Sequence, residues 1–362
     1  MKREEVFNFS AGPSVLPVEV LHKAAAEIDN YGGSGMSVME MSHRSAFFQD
    51  IFDSTKARLK AALNVPDTHE ILFLQGGASL QFSMIPLNLM GPDGTADYAV
   101  TGNFANIAMK EAKKYGTVNI AASSEADKFT YIPQQSELSL TPGAKYFYYC
   151  ANNTIYGTAW NYVPETAAPL VCDMSSEILS RPVDVSRYGI VYAGAQKNMA
   201  PAGVTVVIID KALAGNELPY TPLMMSYKTM IEKDSMYNTP PCWCIYMLGL
   251  VLEWLEKQGG VAGMEAIKHE KAMRVYDIID NSAFYTGCAR PDSRSDMNIT
   301  FRTPSAELDA LFAKEAQAKG LMNLKGHRVA GGIRASLYNA QPMEGVQALV
   351  EYMKDFEVKH HV

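Results

Sequence analysis

An α/β fold is predicted for this 362-residue sequence: a large unit on a mostly parallel mixed sheet, joined to a smaller C-terminal α+β unit. Three observations predict it. Short apolar runs alternate with helical stretches between Ile71 and Ile209, the pattern that lays parallel strands beneath covering helices. The last two runs, 189–193 and 204–209, are separated by about ten residues without helical periodicity, so the sheet is expected to be open and mixed rather than a closed βα barrel. Beyond Gly259-Gly260 the order becomes helix, strand, helix, strand, helix over about 100 residues, a usual domain size.

The elements follow in order. Residues 18–29 carry apolar side chains at helical spacing, the glycine cluster Tyr31-Gly32-Gly33-Ser34-Gly35 must be loop, and 45–63 is a second helix. Strands are expected at 71–74, 98–100, 145–150, 169–172, 189–193 and 204–209. A helix over 239–257 starts with Thr239 as N-cap and Pro240 at its first position, and stops at Gly259-Gly260. Downstream, 265–279, 306–319 and 343–357 read as helices and 297–301 and 332–336 as strands, with His360 and His361 a frayed tail. No internal repeat, low-complexity tract or long linker interrupts the chain.

Composition narrows the function. Hydrophobic residues at 48% and charged residues at 20% are globular values and exclude a disordered or fibrous chain. With 32 Lys and Arg against 39 Asp and Glu, the net charge is -7, and no basic run tracks a phosphate backbone, so nucleic acid is not an expected partner. The longest apolar run, 242–252, falls short of the roughly 20 residues that span a bilayer, and no signal-peptide core follows the charged N-terminus. A cytosolic protein is expected. Five cysteines form no CxxC pair, and no His-Glu-x-x-His pattern is present, so neither a disulfide framework nor a metal enzyme is expected.

Three stretches can carry chemistry. Gln75-Gly76-Gly77-Ala78-Ser79 follows a strand and opens a helix, an anion-binding geometry because free N–H groups and the aligned peptide dipoles face the turn; a plain tight turn explains it equally well. Lys197 lies in Ala193 to Gly203, a turn of small residues between two apolar strands. Desolvation there lowers an amine's proton affinity and frees it to attack a carbonyl, which suggests a Schiff base. Asp173 ends an apolar strand, where open α/β sheets place ligands, although capping a helix after Ser175 would account for it singly. Together, Asp173 and Lys197 offer a carboxylate for a ring nitrogen and an amine for an aldehyde.

Five motifs then fall in register: 7–13 (FNFSAGP), 38–44 (VMEMSHR), 193–203, 237–241 (YNTPP), and Lys325-Gly326-His327-Arg328 through Arg334-Ala335-Ser336. In order and spacing the chain resembles the phosphoserine aminotransferases along essentially its whole length. The resemblance implies a fold-type I pyridoxal 5'-phosphate enzyme of the class V aminotransferases, a homodimer with shared active sites. It also implies a large cofactor-binding domain at 17–258 and a small domain made of 1–16 and 259–362. By motif, Lys197 would carry the cofactor and Asp173 would pair with its pyridine nitrogen. Ala78, Ser79 and Gln196 would bind its phosphate, Thr154 would sit at its phenolic oxygen, and Asn238 and Thr239 would reach the phosphate in the other subunit. Phe104 stands where the family often has a stacking Trp, and Ala78-Ser79 where many relatives have Gly-Arg, so backbone N–H contacts are expected at that turn.

The substrate signal is a repeated His-Arg pair, His43-Arg44 and His327-Arg328, with Arg334 close behind. Guanidinium forks match carboxylate and phosphate oxygens at two points, which fits a small acidic substrate. Through the resemblance, Arg334 would take the α-carboxylate, and His43, Arg44, His327 and Arg328 the substrate phosphate or the side-chain carboxylate of L-glutamate, the first pair from the partner subunit. The implied reaction is amino transfer from glutamate to 3-phosphohydroxypyruvate, giving O-phospho-L-serine in serine synthesis, with a related oxo acid of vitamin B6 synthesis as a second substrate. The alternatives are another class V aminotransferase, such as an alanine-glyoxylate enzyme, or a protein that binds pyridoxal without catalysis. A cysteine desulfurase would need a mobile-loop cysteine, which no Cys here matches.

Overall fold

The computed structural model describes residues 2–361. At its centre is a seven-stranded sheet in the order His69–Leu74, Thr205–Asp210, Ile190–Gly194, Leu170–Asp173, Phe147–Cys150, Thr95–Val100 and Thr117–Ser123. Thr205–Asp210 runs antiparallel to both neighbours and the remaining pairs are parallel, so the expected mixed sheet is present. The central strands are buried at every position, as covering both faces of a parallel sheet requires. Alternate side chains divide the core. Phe147, Tyr149, Cys172, Val191 and Ile208 pack beneath the helices Ala46–Ala62 and Cys242–Lys257. Tyr98, Tyr148, Val171, Tyr192 and Val207 pack beneath Gly77–Leu89 and Asn103–Ala112.

A third core lies between the helices Gly260–Asp280, Ala306–Ala318 and Met343–His360 and the antiparallel sheet Thr286–Gly287, Asn298–Arg302 and Ile333–Ser336. The amino-terminal residues join it: Phe7 and Asn8 pair in parallel with Leu321 and Met322, and Phe9 is wholly buried there.

Five local expectations are corrected. The strand Thr117–Ser123 was not expected; it is an edge strand, exposed on much of its length and without the apolar run of its neighbours. The helix after Thr239 starts at Cys242 with Pro241 as its cap residue, because Pro240 precedes another proline and is pushed out of the helical region. Thr239 is therefore outside the helix. The helix expected from 265 begins at Gly260, directly after Gly259 in a left-handed conformation. No helix follows Ser175; the Asp173 carboxylate instead accepts the Ser175 N–H at 2.9 Å and closes a turn. His360 is the last residue of a helix with its ring centroid 4.3 Å from that of Phe356, so it is packed rather than frayed.

Candidate active site

The large sheet's contributions to the site leave the carboxyl ends of its strands, the edge at which open α/β sheets gather ligands. After Ile190–Gly194 the chain turns through Ala195 to Val204, with Ala195 N donating to Val204 O at 3.1 Å, and carries Lys197 at the head of the loop. After Leu170–Asp173 comes the Asp173 turn, fastened to the lysine's strand by Ser175 Oγ, which accepts Gly194 N at 3.0 Å. After Phe147–Cys150 comes the Asn152–Asn153 hairpin that positions Thr154, and after Thr95–Val100 the helix that carries Phe104.

Lys197 Nζ is 2.7 Å from Thr154 Oγ1 and 5.7 Å from the centroid of the Phe104 ring. Burial pushes its pKa down, Arg334 adds to that, and Asp173 and Cys150 partly oppose it. Asp173 is only 5% exposed, and among the described residues its carboxylate accepts no hydrogen bond but that of Ser175 N. Its second carboxylate oxygen is therefore without a hydrogen bond among the described residues. The lysine's stem is packed by the amino-terminal strap. A Cβ at Gly12, whose φ is +138°, would lie 3.3 Å from Lys197 Cγ, and Ser14 N donates to Gln196 O at 2.9 Å. Only glycine brings the backbone that close in that conformation.

Arg334 comes from the strand Ile333–Ser336, and its Nη1 donates to Thr154 O at 3.2 Å, so it shares Thr154 with the lysine. His327 stands beside it with its pKa lowered by burial and by the Arg334 and Arg328 charges. Arg328 is exposed. The Lys197 amine is thereby brought to Thr154, Phe104 and Asp173 and near Arg334, with the His327 and Arg328 side chains close to Arg334, while Gln196 is its neighbour in the chain. Ala78 and Ser79 occupy the first turn of Gly77–Leu89, behind Gly76 at φ 87° and Gly77 at φ 68°. Their N–H groups belong to the unsatisfied end of that helix, and Ala78 flanks the same apolar core as Phe104.

Four expected residues stand apart. Asn238 and Thr239 are exposed and lie beside the glycine turn, where Gln75 Nε2 donates to Thr239 O at 2.8 Å. Arg44 is exposed, and His43 Nε2 is buried without a hydrogen-bond partner. Among the described residues no hydrogen bond or ion pair links these four to Lys197.

Sequence reasoning missed a buried polar chain behind the cleft. Asn152 Nδ2 donates to Ser176 Oγ at 2.8 Å and to Asn298 Oδ1 at 2.7 Å; Asn298 Nδ2 donates to Ser336 Oγ at 2.9 Å and Tyr338 Oη at 3.2 Å. It joins the loops that follow Phe147–Cys150 and Leu170–Asp173 to the strand that bears Arg334. Buried amides in strands were its only sequence signal, and they gave no partner.

In chemical terms the cleft offers an amine of reduced proton affinity, a buried carboxylate, a helix start for an anion and a guanidinium. The family model for class-V aminotransferases matches residues 6–349. The chain is 51% identical over 356 residues to the phosphoserine aminotransferase of Laribacter hongkongensis, covering 98% of this chain and 99% of that one. Among solved structures it is similar to the phosphoserine aminotransferase from Bacillus circulans subsp. alkalophilus (TM-score 0.97, 47% identity, 98% and 99% of the two chains). It is also similar to the PLP-bound phosphoserine aminotransferase from Trichomonas vaginalis (TM-score 0.93, 41% identity, 96% and 99%).

Proposed function

We propose the activity from one premise: this chain belongs to the class-V aminotransferase family and, within it, to the phosphoserine aminotransferases. It is a pyridoxal phosphate-dependent enzyme that exchanges an amino group between L-glutamate and 3-phosphohydroxypyruvate, giving O-phospho-L-serine and 2-oxoglutarate, a step of L-serine synthesis. Near-half identity along almost the whole chain favours this over another class V activity such as alanine-glyoxylate transamination. The observation that carries the assignment is the half-buried Lys197 amine on Thr154 Oγ1, with the Asp173 carboxylate at the adjacent strand end.

The residues present fit the cofactor. Lys197 would hold its aldehyde carbon, Asp173 its ring N–H, Phe104 the ring face, Thr154 the phenolic oxygen, and Gln196 with the N–H groups of Ala78 and Ser79 its phosphate. When bound, pyridoxal phosphate supplies a carbonyl that takes the amino group and an electron-poor ring that stabilises negative charge next to it. Asp173 would keep a ring nitrogen placed beside it protonated, since a neighbouring carboxylate favours the charged form. The Lys197 amine, already short of proton affinity, would serve as both the base and the acid for the proton on the substrate α-carbon. Thr154 Oγ1 limits where Nζ points. Arg334 would orient the α-carboxylate.

For the phosphate of the substrate we assign His327 and Arg328, with His43 and Arg44 from a second subunit. A homodimer with shared sites is supported by the exposed apolar side chains Met39 and Phe47 flanking His43-Arg44, and by Asn238 and Thr239 facing outward. The pairing of Phe7-Asn8 with Leu321-Met322 supports the division into 17–258 and 1–16 plus 259–362. We assign the enzyme to the cytoplasm; no helix among the described residues is long and apolar enough to cross a membrane. The deciding experiment is the absorbance spectrum of the purified protein before and after glutamate, followed by 3-phosphohydroxypyruvate. The visible band should fall with glutamate and return with the oxo acid; an unchanged band refutes the activity.

A further inference from the structure

Lys271, on the helix Gly260–Asp280, is wholly buried, and no carboxylate pairs with it among the described residues. Its Nζ donates to three backbone carbonyls of one short loop: Tyr338 at 3.0 Å, Asn339 at 3.1 Å and Gln341 at 3.1 Å. An ammonium has three donor hydrogens and no acceptor, so the cage uses all of them. Burying a charge without a counter-ion is expensive, and an apolar side chain would fill the space at lower cost. Packing alone does not account for a lysine here. Burial pulls its pKa down to about 7.

The caged loop reaches the reactive lysine from two sides. On one, Asn339 N donates to Asn198 Oδ1 at 3.0 Å, while Asn198 Nδ2 donates to Ile178 O at 3.0 Å, so the carboxamide directly after Lys197 is held at both ends. Asn339 Nδ2 adds a bond to Leu179 O at 2.9 Å. On the other, Tyr338 Oη donates to Ala11 O at 2.8 Å, and the next residue is Gly12, whose backbone packs on the Lys197 stem. Arg334 is less dependent on this loop, because its strand is held by the ladder with Asn298–Arg302.

We propose that Lys271 is a positioning residue for Lys197: by gathering the three carbonyls of the 338–341 loop it holds both the Asn198 and the Ala11–Gly12 flanks of the reactive amine. Side-chain freedom at Lys197 is then set from the third core, through two arms that end on either side of it. Loss of the cage loosens both arms together, and misplacement of a catalytic group by a fraction of an ångström reduces turnover more than it reduces binding.

The inference rests on the transaminase reading, and its test separates the two. Lys271→Met, close in length and without donors, is compared with the wild-type holoenzyme in kcat, KM for glutamate and the pH midpoint of the visible band. Turnover should fall about tenfold with KM within about twofold. The band's midpoint should move by roughly half a pH unit or more, a readout that a stability defect alone would not shift. Lys271→Gln keeps two donors and should fall between, and it replaces the Met variant if that does not fold. In a Tyr338→Phe, Asn198→Ala background, with the side-chain arms cut, Lys271→Met should have less than half its wild-type effect on log kcat. Unchanged kcat and midpoint with a lowered Tm, or a full effect in that background, overturns the proposal. If the wild type carries the cofactor but does not transaminate phosphoserine, the activity reading fails, and the midpoint still tests Lys271.

Discussion

Truncating Arg334 to alanine removes the guanidinium that donates to the Thr154 carbonyl beside the lysine. In the structure it gives Nη1 to Thr154 O at 3.2 Å and retains further N–H groups for an incoming carboxylate. Each charge-assisted contact of this kind contributes about 1.5 to 3 kcal/mol. A two-point contact that is partly replaced by water leaves a net loss of about 3 kcal/mol. At about 1.36 kcal/mol per decade this is about a hundredfold in kcat/KM. Because every amino-acid substrate presents the same α-carboxylate, the loss should be similar for glutamate, phosphoserine and alanine. The assay is steady-state kinetics of the three donors on Arg334→Ala and Arg334→Lys, with the visible spectrum confirming that cofactor is still bound. Arg334→Lys should recover only part of the loss, since an ammonium cannot make the planar fork. A loss below about threefold, or one confined to phosphoserine, would refute the assignment of Arg334 to the α-carboxylate.

Four further outcomes follow from the same geometry. Borohydride reduction of the holo-protein and peptide mapping should place the pyridoxyl label on Lys197; a label elsewhere, or an active Lys197→Ala protein, removes it from the mechanism. Asp173→Asn should fold, because the amide oxygen still accepts the Ser175 N–H, yet lose most activity since a neutral amide does not hold the ring proton; near-normal turnover would leave Asp173 only its turn. Arg328→Ala and Arg44→Ala should each lower kcat/KM for phosphoserine by roughly tenfold to a hundredfold, with glutamate intermediate and alanine nearly unaffected, and equal losses would show that neither arginine reads the phosphate. Mixing Lys197→Ala with an Asn238→Ala, Thr239→Val double variant should restore activity in hybrid dimers; an enzyme that is active as a monomer would sink the shared site.

The strands were legible because burial on both faces writes near-continuous apolar runs. Lys197 and Asp173 were legible because a charge directly after such a run stands out. Where that contrast was weak, reading failed: the edge strand Thr117–Ser123 carries little apolar signal, and Pro240-Pro241 displaced a helix start that an N-cap at Thr239 would put earlier.

The sequence by itself determined the α/β class, the mixed sheet and, through motifs in register along the chain, the family and its chemistry. Local periodicity and residue type suffice for those, because each depends on neighbours a few positions apart. The tertiary structure decided what depends on distant segments meeting. It placed Gly12 against Lys197, gave Arg334 and Lys197 a common partner in Thr154, and set Lys271 under a loop some 70 positions away. Hydrogen bonds and close packing act over a few ångströms, and nothing in the order of residues states which groups the fold will bring within that range.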